Sequence, residues 1–490
     1  MTASDCALGI DLGTGSTKAL LLDATGTQIG AASSPVVLSR PQPGWAESDP
    51  EQWWQSVKAA VRQVLAGNEA RVGAIGLSGQ MHGVVLARSD SSPLRPALLS
   101  LDRRALGDLD AYRVLPPALL KGLCNPLVPG MAGPLLHWLA EHENANAQEA
   151  DWALQPKDWL RLRMVGTAGS EPSDASGTLL YDLAKGTWSK PVVEALGLRA
   201  SLLPPLGASY DVAGPLSSTA ARELGLPSGI PVAFGSADTA AALVGTGLRT
   251  VGAVQLTVGS AAQLVTLRTA PQPDPELRYH IFASASGGLW YALAAVQVAG
   301  VALSWALEAF HATWQEAYQL LEASPVGAKG ALFVPHLAGA RSPSMNVLAS
   351  GGFAGLELSH NRADMLRAVF EGVAFSIADA ASSLPELAAA SSVYLAGGGS
   401  LHPAWRQLLC DVLGKPLLIV DNPNASALGA ALIGGHAAGI TAKTKGDLRV
   451  VGEVQPDPRR QEPLAAAFER WKQLSQVTDI TASYQPSLAR

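Results

Sequence analysis

The chain opens on an apolar run, Leu8-Gly9-Ile10, broken by one carboxylate, Asp11, and then by small and hydroxylated residues, Gly13-Thr14-Gly15-Ser16-Thr17-Lys18. A second apolar run, Ala19 to Leu22, follows at once. Two short apolar runs joined by such residues predict a hairpin with a tight turn supplied by glycine. Thr27 to Ala32 predicts a third strand. Asp49-Pro50 offers a cap and a first-turn proline, and Trp53, Val57, Ala60, Val61 and Val64 recur at helical spacing, so Pro50 to Ala66 predicts an amphipathic helix. Val72 to Leu77 predicts a buried strand ending in Ser78-Gly79-Gln80-Met81-His82-Gly83, with another strand over Val84 to Ala87. Helices are predicted over Ala132 to Ala140 and Asn144 to Ala150. Another is predicted over Lys157 to Arg163, with basic residues on one face and an end at Gly166. Glu171 to Thr178 is dense in turn formers and hydroxyls and predicts a loop, and Pro215 to Pro227 holds a short helix.

Ile230 to Phe234 predicts an apolar strand that runs through Gly235-Ser236-Ala237-Asp238-Thr239 into an alanine-rich helix, Ala240 to Val244. Gly245-Thr246-Gly247 and Gly252 mark a boundary. Val254 to Val265 then repeats the opening pattern, with a small-residue turn at Gly259-Ser260, and Thr257-Val258-Gly259-Ser260 aligns with Asp11-Leu12-Gly13-Thr14. The repeat predicts two similar domains, each presenting one hairpin turn to a shared cleft. Alanine-rich helices are expected next, with Trp305, Leu307 and Phe310 on a core face. Phe333-Val334-Pro335 leads into a loop, and Arg362 to Ala381 reads as a strongly amphipathic helix. A strand, Val393 to Leu395, ends in Ala396-Gly397-Gly398-Gly399-Ser400. Then come a helix carrying Trp405, Leu408, Leu409 and Val412, a strand from Pro416 to Val420, a loop Asp421-Asn422-Pro423-Asn424, and a helix from Ala425 to Gly435.

The chemistry gathers at the ends of these strands. Turns without bulky side chains let backbone N–H groups approach an anion, and Thr14, Ser16 and Thr17 add hydroxyl donors. Asp11 stands where it would hold a metal ion beside that anion. Asp238, at a strand end and a helix N-terminus, is favoured in its ionised form and suited to accept a proton; an ordinary N-cap accounts for the same position. Leu98 to Arg104 is a strand running into an acidic–basic cluster, either a fork for sugar hydroxyls or an ion pair. His82 reads as a ligand contact or a structural histidine. The excess of 41 acidic over 35 basic residues speaks against nucleic acid and anionic membranes as partners. Cys6, Cys124 and Cys410 are too few and too far apart for a disulfide framework, and no secretory or membrane-spanning segment is expected, so the reading is a cytoplasmic enzyme. Lys18 lacks the preceding glycine of a P-loop.

In their order along the chain, these segments resemble the FGGY family of carbohydrate kinases nearly end to end, and its xylulokinase members most closely. The segments are the Asp11 to Thr14 turn, Gly79 to Gly83, Pro156-Lys157-Asp158 with Leu160 to Arg163, Ser173 to Thr178, Gly235 to Asp238, Gly355-Leu356, Glu371-Gly372-Val373, Gly397 to Gly399 and Ala427 to Ala431. The resemblance implies an α/β fold of two actin-like ATPase (ribonuclease H-like) domains flanking a central cleft. Residues 1–248 would bind sugar and 249–490 ATP. It implies ATP- and Mg2+-dependent phosphorylation of the C5 hydroxyl of D-xylulose, giving D-xylulose 5-phosphate and ADP. It further implies Asp238 as general base and Asp11 as the magnesium carboxylate, directly or through water. Met81, His82, Asp102, Arg104, Asp238 and Thr239 would contact sugar. Gly13, Thr14, Gly15, Ser16, Lys18, Gly259, Ser260, Gly397, Gly398, Gly399 and Asn424 would contact ATP and its phosphates. A homodimer is compatible with this reading. The chain departs from the family pattern in four places: Ser100 for a frequent Trp, Thr239 for Asn, Ala340 for Glu in Gly339-Ala340-Arg341-Ser342-Pro343, and Gly259-Ser260-Ala261 for Gly-Thr-Ser. These departures bear on which sugar is used, leaving another pentulose or a pentitol (ribulose, L-xylulose, arabitol) as alternatives. From other classes, the alternatives are a non-catalytic sugar-binding regulator and a partner-moving ATPase.

Overall fold

The computed structural model describes residues 5–65, 67–421, 424–440 and 448–482; Ala66, Asn422 and Pro423 of the segments above lie outside them. The opening pattern folds as expected. Strands β1 (Cys6–Leu12) and β2 (Ser16–Asp23) pair antiparallel with Asp11 opposite Lys18. Strand β3 (Gln28–Pro35) continues the sheet, and helix α1 (Pro50–Leu65) covers it with Trp53 and Trp54 enclosed. Strand β4 (Val72–Gly79) lies parallel to β1, Ser78 beside Asp11. Helix α2 (Pro156–Val165) ends at Gly166, which takes the left-handed conformation that glycine tolerates. Helix α3 (Pro172–Ala175) follows, then β5 (Val212–Pro215), β6 (Pro231–Ala233) and β7 (Ser236–Ala237). The first sheet runs β5-β6-β4-β1-β2-β3, with β7 joined to the far end of β4.

Helix α4 (Asp238–Thr246) leads to the second half, where β8 (Val254–Val258), β9 (Ala262–Arg268), β10 (His280–Ala283) and β11 (Trp290–Val296) form one side of another sheet. After helices α5 (Gly300–Ala309) and α6 (Arg362–Ser382) come β12 (Val393–Ala396), α7 (Pro403–Leu413), β13 (Leu417–Val420), α8 (Ala425–Ala437) and β14 (Val450–Val454). The second sheet runs β10-β11-β9-β8-β12-β13-β14. Each sheet thus centres on a hairpin whose first strand has a parallel neighbour, β2-β1-β4 and β9-β8-β12, so the internal repeat is real.

Helix α8 comes from the second half of the chain yet packs on the first sheet. A Cβ at Gly76 would stand 1.8 Å from the Ala430 carbonyl oxygen, and one at Gly9 2.1 Å from that of Ala427. Glycines inside two neighbouring strands therefore let a helix backbone lie directly on the sheet. Helix α4 lies as close to α8, where a Cβ at Gly429 would meet the Ala241 carbonyl at 1.8 Å and one at Gly245 that of Ala425 at 2.0 Å.

Three expectations fail for physical reasons. The segment after Val265 is strand, not helix, at β10 and β11. The latter, WYALAAV, is almost wholly buried in mid-sheet, where flanking strands outweigh alanine's helical preference. Of the expected core face, Leu307 is buried, but Trp305 is 41% exposed and covers the buried Phe333 from outside. The 171–178 segment is not an open loop: Glu171 caps the one-turn helix α3 by accepting the Ser173 and Asp174 N–H groups, and the segment is buried. The basic face of α2 turns inward: Lys157 and Arg161 are fully enclosed and paired with Asp158, and Lys157 also faces Glu171 and Asp174.

Candidate active site

A cavity of about 220 Å³ opens between the halves, at the ends of the strands. Its first wall carries Thr14, Gln80, Met81, His82, Ser100, Leu101, Asp238 and Thr239. Its second carries Gln263, His280, Phe282 and residues of β11, with Gln297 and Arg341 beyond. Pairing of β7 with β4 places Ala237 beside Gly79, so Asp238 begins its helix next to the strand ends that carry Asp11 and Gln80.

Asp238 is the first residue of α4 and not its N-cap, which is Ala237. Its Oδ1 accepts the Thr239 N–H at 2.6 Å and the Thr239 hydroxyl at 3.2 Å, and among the described residues Oδ2 has no partner. Burial, reinforced by the facing Asp11 carboxylate, pushes its pKa up to about 7. Burial also raises Asp11, against the Ser78 hydroxyl that donates to Oδ1 at 2.6 Å and the charge of Lys18. Two carboxylates sharing a low-dielectric corner disfavour each other's ionised form.

His82 adopts φ +76°, a strained conformation for a residue with a side chain, held where its N–H donates to Gln155 Oε1 at 2.9 Å. Its Nδ1 donates to the Gly177 carbonyl at 2.7 Å, leaving Nε2 as an acceptor. Burial lowers its pKa to about 4, so the ring is neutral at pH 7. Met81 touches the second half through the Tyr291 hydroxyl, 3.6 Å from its sulfur. Thr239 spans the cavity, its hydroxyl 3.3 Å from Gln263 Oε1.

The turns sit as the repeat requires. The Gly13 N–H donates to Ser16 O at 3.0 Å, the Gly259 N–H to Ala261 O at 2.9 Å, and Thr14 bonds Gln80. Gly397, at φ +96°, and Gly399 lie against the end of β8: a Cβ on Gly399 would stand 3.2 Å from Gly259 Cα. Gly397 to Gly399 and Gly259-Ser260 therefore form one small-residue surface. Gly15 is exposed, Ser16 and Lys18 half-buried on β2, and Asn424 starts α8, where Ser426 donates to the Asp238 carbonyl at 3.1 Å.

Asp102 and Arg104 are not brought to this cavity. Asp102 accepts the Ala46 N–H at 2.7 Å and pairs with Arg104, whose guanidinium also reaches Glu47 and lies 3.6 Å over the Trp45 ring. The pair braces the turn that carries Ser100 and Leu101, and Asp102 borders a smaller neighbouring cavity of about 70 Å³. Sequence reasoning passed over Gln80, Gln263, His280, Phe282, Gln297 and Arg341. The β10 and β11 residues were hidden by the helical reading, and Arg341 was seen only through its loop, as a neighbour of Ala340.

Two family models describe the chain, the N-terminal domain of the FGGY carbohydrate kinases over residues 6–245 and the C-terminal domain over 255–438. The chain belongs to the FGGY family of carbohydrate kinases. It is therefore an ATP-dependent sugar kinase of the two-lobed, actin-like α/β fold. It is 33% identical to a xylulose kinase of Escherichia coli K12, covering 90% of this chain and 91% of the relative, and 34% identical to one of Klebsiella pneumoniae, covering 92% and 95%. The solved xylulose kinase of Rhodospirillum rubrum superposes with a TM-score of 0.84 at 27% identity, covering 98% of this chain and all of that one. No helix among the described residues is long and apolar enough to cross a membrane.

Proposed function

We propose that this kinase transfers the γ-phosphoryl group of ATP to the C5 hydroxyl of D-xylulose, giving D-xylulose 5-phosphate and ADP. The observation that carries the reading is Asp238: a carboxylate with one unpartnered oxygen, bordering the cavity that also holds Met81, His82 and Thr239. A carboxylate raised to about 7 and placed on such a cavity is matched to accept a hydroxyl proton near neutral pH. Asp238 Oδ2 takes the C5 proton as that oxygen attacks in line. His82 Nε2 and Thr239 orient the sugar, while Asp102 and Arg104 support the Ser100 turn. Backbone N–H groups at Gly13 to Ser16 and Gly259-Ser260, with Lys18, hold the phosphates, and Gly397 to Gly399 and Asn424 the nucleoside. Positioning of this kind supplies most of the catalysis in phosphoryl transfer. Lobes of residues 1–248 and 249–490 close over the cavity and exclude water.

The residues present fit magnesium. Asp11 and Asp238 form an oxygen-only corner in which burial, and for Asp238 the facing Asp11, disfavours the ionised carboxylates, an environment that a divalent cation would relieve. Asp11 would hold the ion, directly or through water. Among the described residues there is no cluster of three or more metal-ligating side chains, so the other positions fall to phosphate oxygens and water. Bound there, Mg2+ supplies charge neutralisation on the transferring phosphoryl group. The three free, buried cysteines fit a cytoplasmic setting.

The test is ADP release with Mg-ATP over D-xylulose, L-xylulose, D-ribulose, L-ribulose, D-arabitol, xylitol and glycerol. Dominant stimulation by D-xylulose is expected. Dominance of another member moves the substrate and keeps the chemistry; no stimulation by any of them overturns the reading.

A further inference from the structure

The cavity has two chemically different ends. Asp238 and Thr239 border one. At the other stands Arg341, which with Gln297 also borders the neighbouring cavity of about 70 Å³ that Asp238 does not reach, and which depresses the basicity of His82 and His280. The Arg341 Nε donates to Gln297 Oε1 at 3.0 Å, and among the described residues its two terminal nitrogens have no partner. Among the described residues no carboxylate pairs with it, and the neighbouring loop position, where a carboxylate stands in the family pattern, is Ala340. Burial brings its pKa down to about 10, so it stays charged at pH 7. An uncompensated guanidinium beside a cavity is a donor set waiting for an acceptor.

The groups around it are neutral and offer lone pairs. His82 Nε2 is an unpartnered acceptor because Nδ1 donates to Gly177. His280 is in the same tautomer: Asn125 Oδ1 already accepts the Ile281 N–H, so the His280 Nδ1 at 3.3 Å must be the donor. A carboxylate ligand would face these lone pairs, whereas a group that accepts at one atom and donates at the next fits them. A hydroxymethyl ketone has that pattern, a carbonyl oxygen at C2 and a hydroxyl at C1.

Ring chemistry leads to the same group. A 2-pentulose closes its five-membered ring by attack of O5 on C2. The oxygen to be phosphorylated is thus the oxygen consumed in the ring, so the reacting form is acyclic, with C2 a free ketone. The ketone end of the bound chain lies away from O5, and therefore away from Asp238.

We propose that Arg341 recognises the C2 carbonyl of an acyclic 2-ketose while His82 Nε2 accepts from the C1 hydroxyl, so that this end of the cavity selects ketoses over the corresponding polyols. A polyol replaces the acceptor-only carbonyl by a hydroxyl whose proton needs a further acceptor. A site built for one pattern rejects the other when its polar groups are left unpaired. The inference rests on the pentulose kinase reading and adds the residue that enforces it.

The test is titration calorimetry of D-xylulose, xylitol and D-arabitol against the unmodified protein and against Arg341→Gln and Arg341→Lys. The unmodified protein should bind D-xylulose about 10-fold or more tightly over either polyol, the range of a hydrogen bond to a charged group. Arg341→Gln should bring the three within about 3-fold by weakening D-xylulose alone, and Arg341→Lys should keep part of the preference. Equal weakening of all three ligands, or an unchanged preference, overturns the assignment. So does equal affinity for ketose and polyols in the unmodified protein, a comparison that needs no variant to fold. Absence of D-xylulose turnover in the unmodified protein instead overturns the proposed function; normal turnover with an unchanged preference overturns the role of Arg341 alone.

Discussion

Replacing Asp238 by Asn should make the protein more stable and nearly inactive, and both effects follow from the same corner of the cavity. Folding moves the Asp238 pKa from 3.8 to about 7, and at ~1.36 kcal/mol per unit that is about 4 kcal/mol. The figure is an upper bound because the cavity admits water. For an acid with a raised folded pKa, the associated stability is complete below pH 3.8 and lost as pH rises through about 7. At pH 8 the wild-type protein bears the full cost of an ionised Asp238, whereas Asn bears none. Asn keeps an acceptor for the Thr239 N–H, so local structure is retained. Urea unfolding without magnesium or nucleotide should show the variant ahead at pH 8, with the gap closing towards pH 4. Coupled ADP release with D-xylulose should fall by ~10²–10⁴-fold, the usual worth of a general base. A variant no more stable than wild type at pH 8 would refute the electrostatic argument, and turnover within about tenfold of wild type would refute the role as base.

The remaining predictions concern the scaffold. Burial lowers His82 from 6.5 to about 4, so its share of stability, about 3 kcal/mol, is complete above pH 6.5 and lost as pH falls through about 4. His82→Asn should accordingly flatten part of the acid limb of a urea-midpoint profile between those values. Gly76→Ala should destabilise by about 3 kcal/mol or more in urea unfolding, since its Cβ would stand 1.8 Å from a carbonyl oxygen in the α8 backbone. Gly15→Ala, with open space around it, should stay within about 0.5 kcal/mol. Lys157→Met leaves Asp158, Glu171 and Asp174 enclosed without their shared cation and should cost about 3–5 kcal/mol; a change under 1 kcal/mol would show that those acids are neutral in the folded protein.

The strand-end chemistry was legible from sequence because it depends on local pattern. A short apolar run, one carboxylate and glycine-rich residues define a hairpin turn wherever they occur, and the repeat at Val254 to Val265 needed no tertiary knowledge. The failures mark where distant packing decides. Nothing local says that Trp290 to Val296 lies between two strands, so its alanines read as helix, and with it His280, Phe282 and the second cavity wall were lost. The pairing of the α2 charges is not legible from sequence because their partners, Glu171 and Asp174, sit on a segment that reads as loop. At Leu98 to Arg104 the sequence leaves a sugar fork and an ion pair open, and the ion pair forms because Glu47 and Trp45, distant in sequence, enclose Arg104 beside Asp102.

The position of the proposed base is fixed from both halves of the chain, and this bears on the least expected residue of the site. The Ala237 N–H donates to the Ser173 hydroxyl, which Glu171 holds in turn. Strand β7 is registered on β4, and α4 is pressed on α8 through Gly429 and Gly245. Asp238 is thus set relative to Asp11 by the first sheet and by α8, whose Ser426 hydroxyl donates to the Asp238 carbonyl. A further link to the second half runs through Thr239, whose hydroxyl lies within hydrogen-bond distance of both Asp238 and Gln263 on β9. The family pattern has Asn here, with a side-chain amide as donor. Threonine keeps a donor at the same point of the chain, and its single proton serves either the base or the opposite lobe. When the hydroxyl turns to Gln263, the base loses a bond that favours its charged form, and when it turns to Asp238 the bridge between lobes is released. If the lobes close as proposed, one hydroxyl couples that closure to the basicity of Asp238, which gives the Thr239 departure a physical consequence.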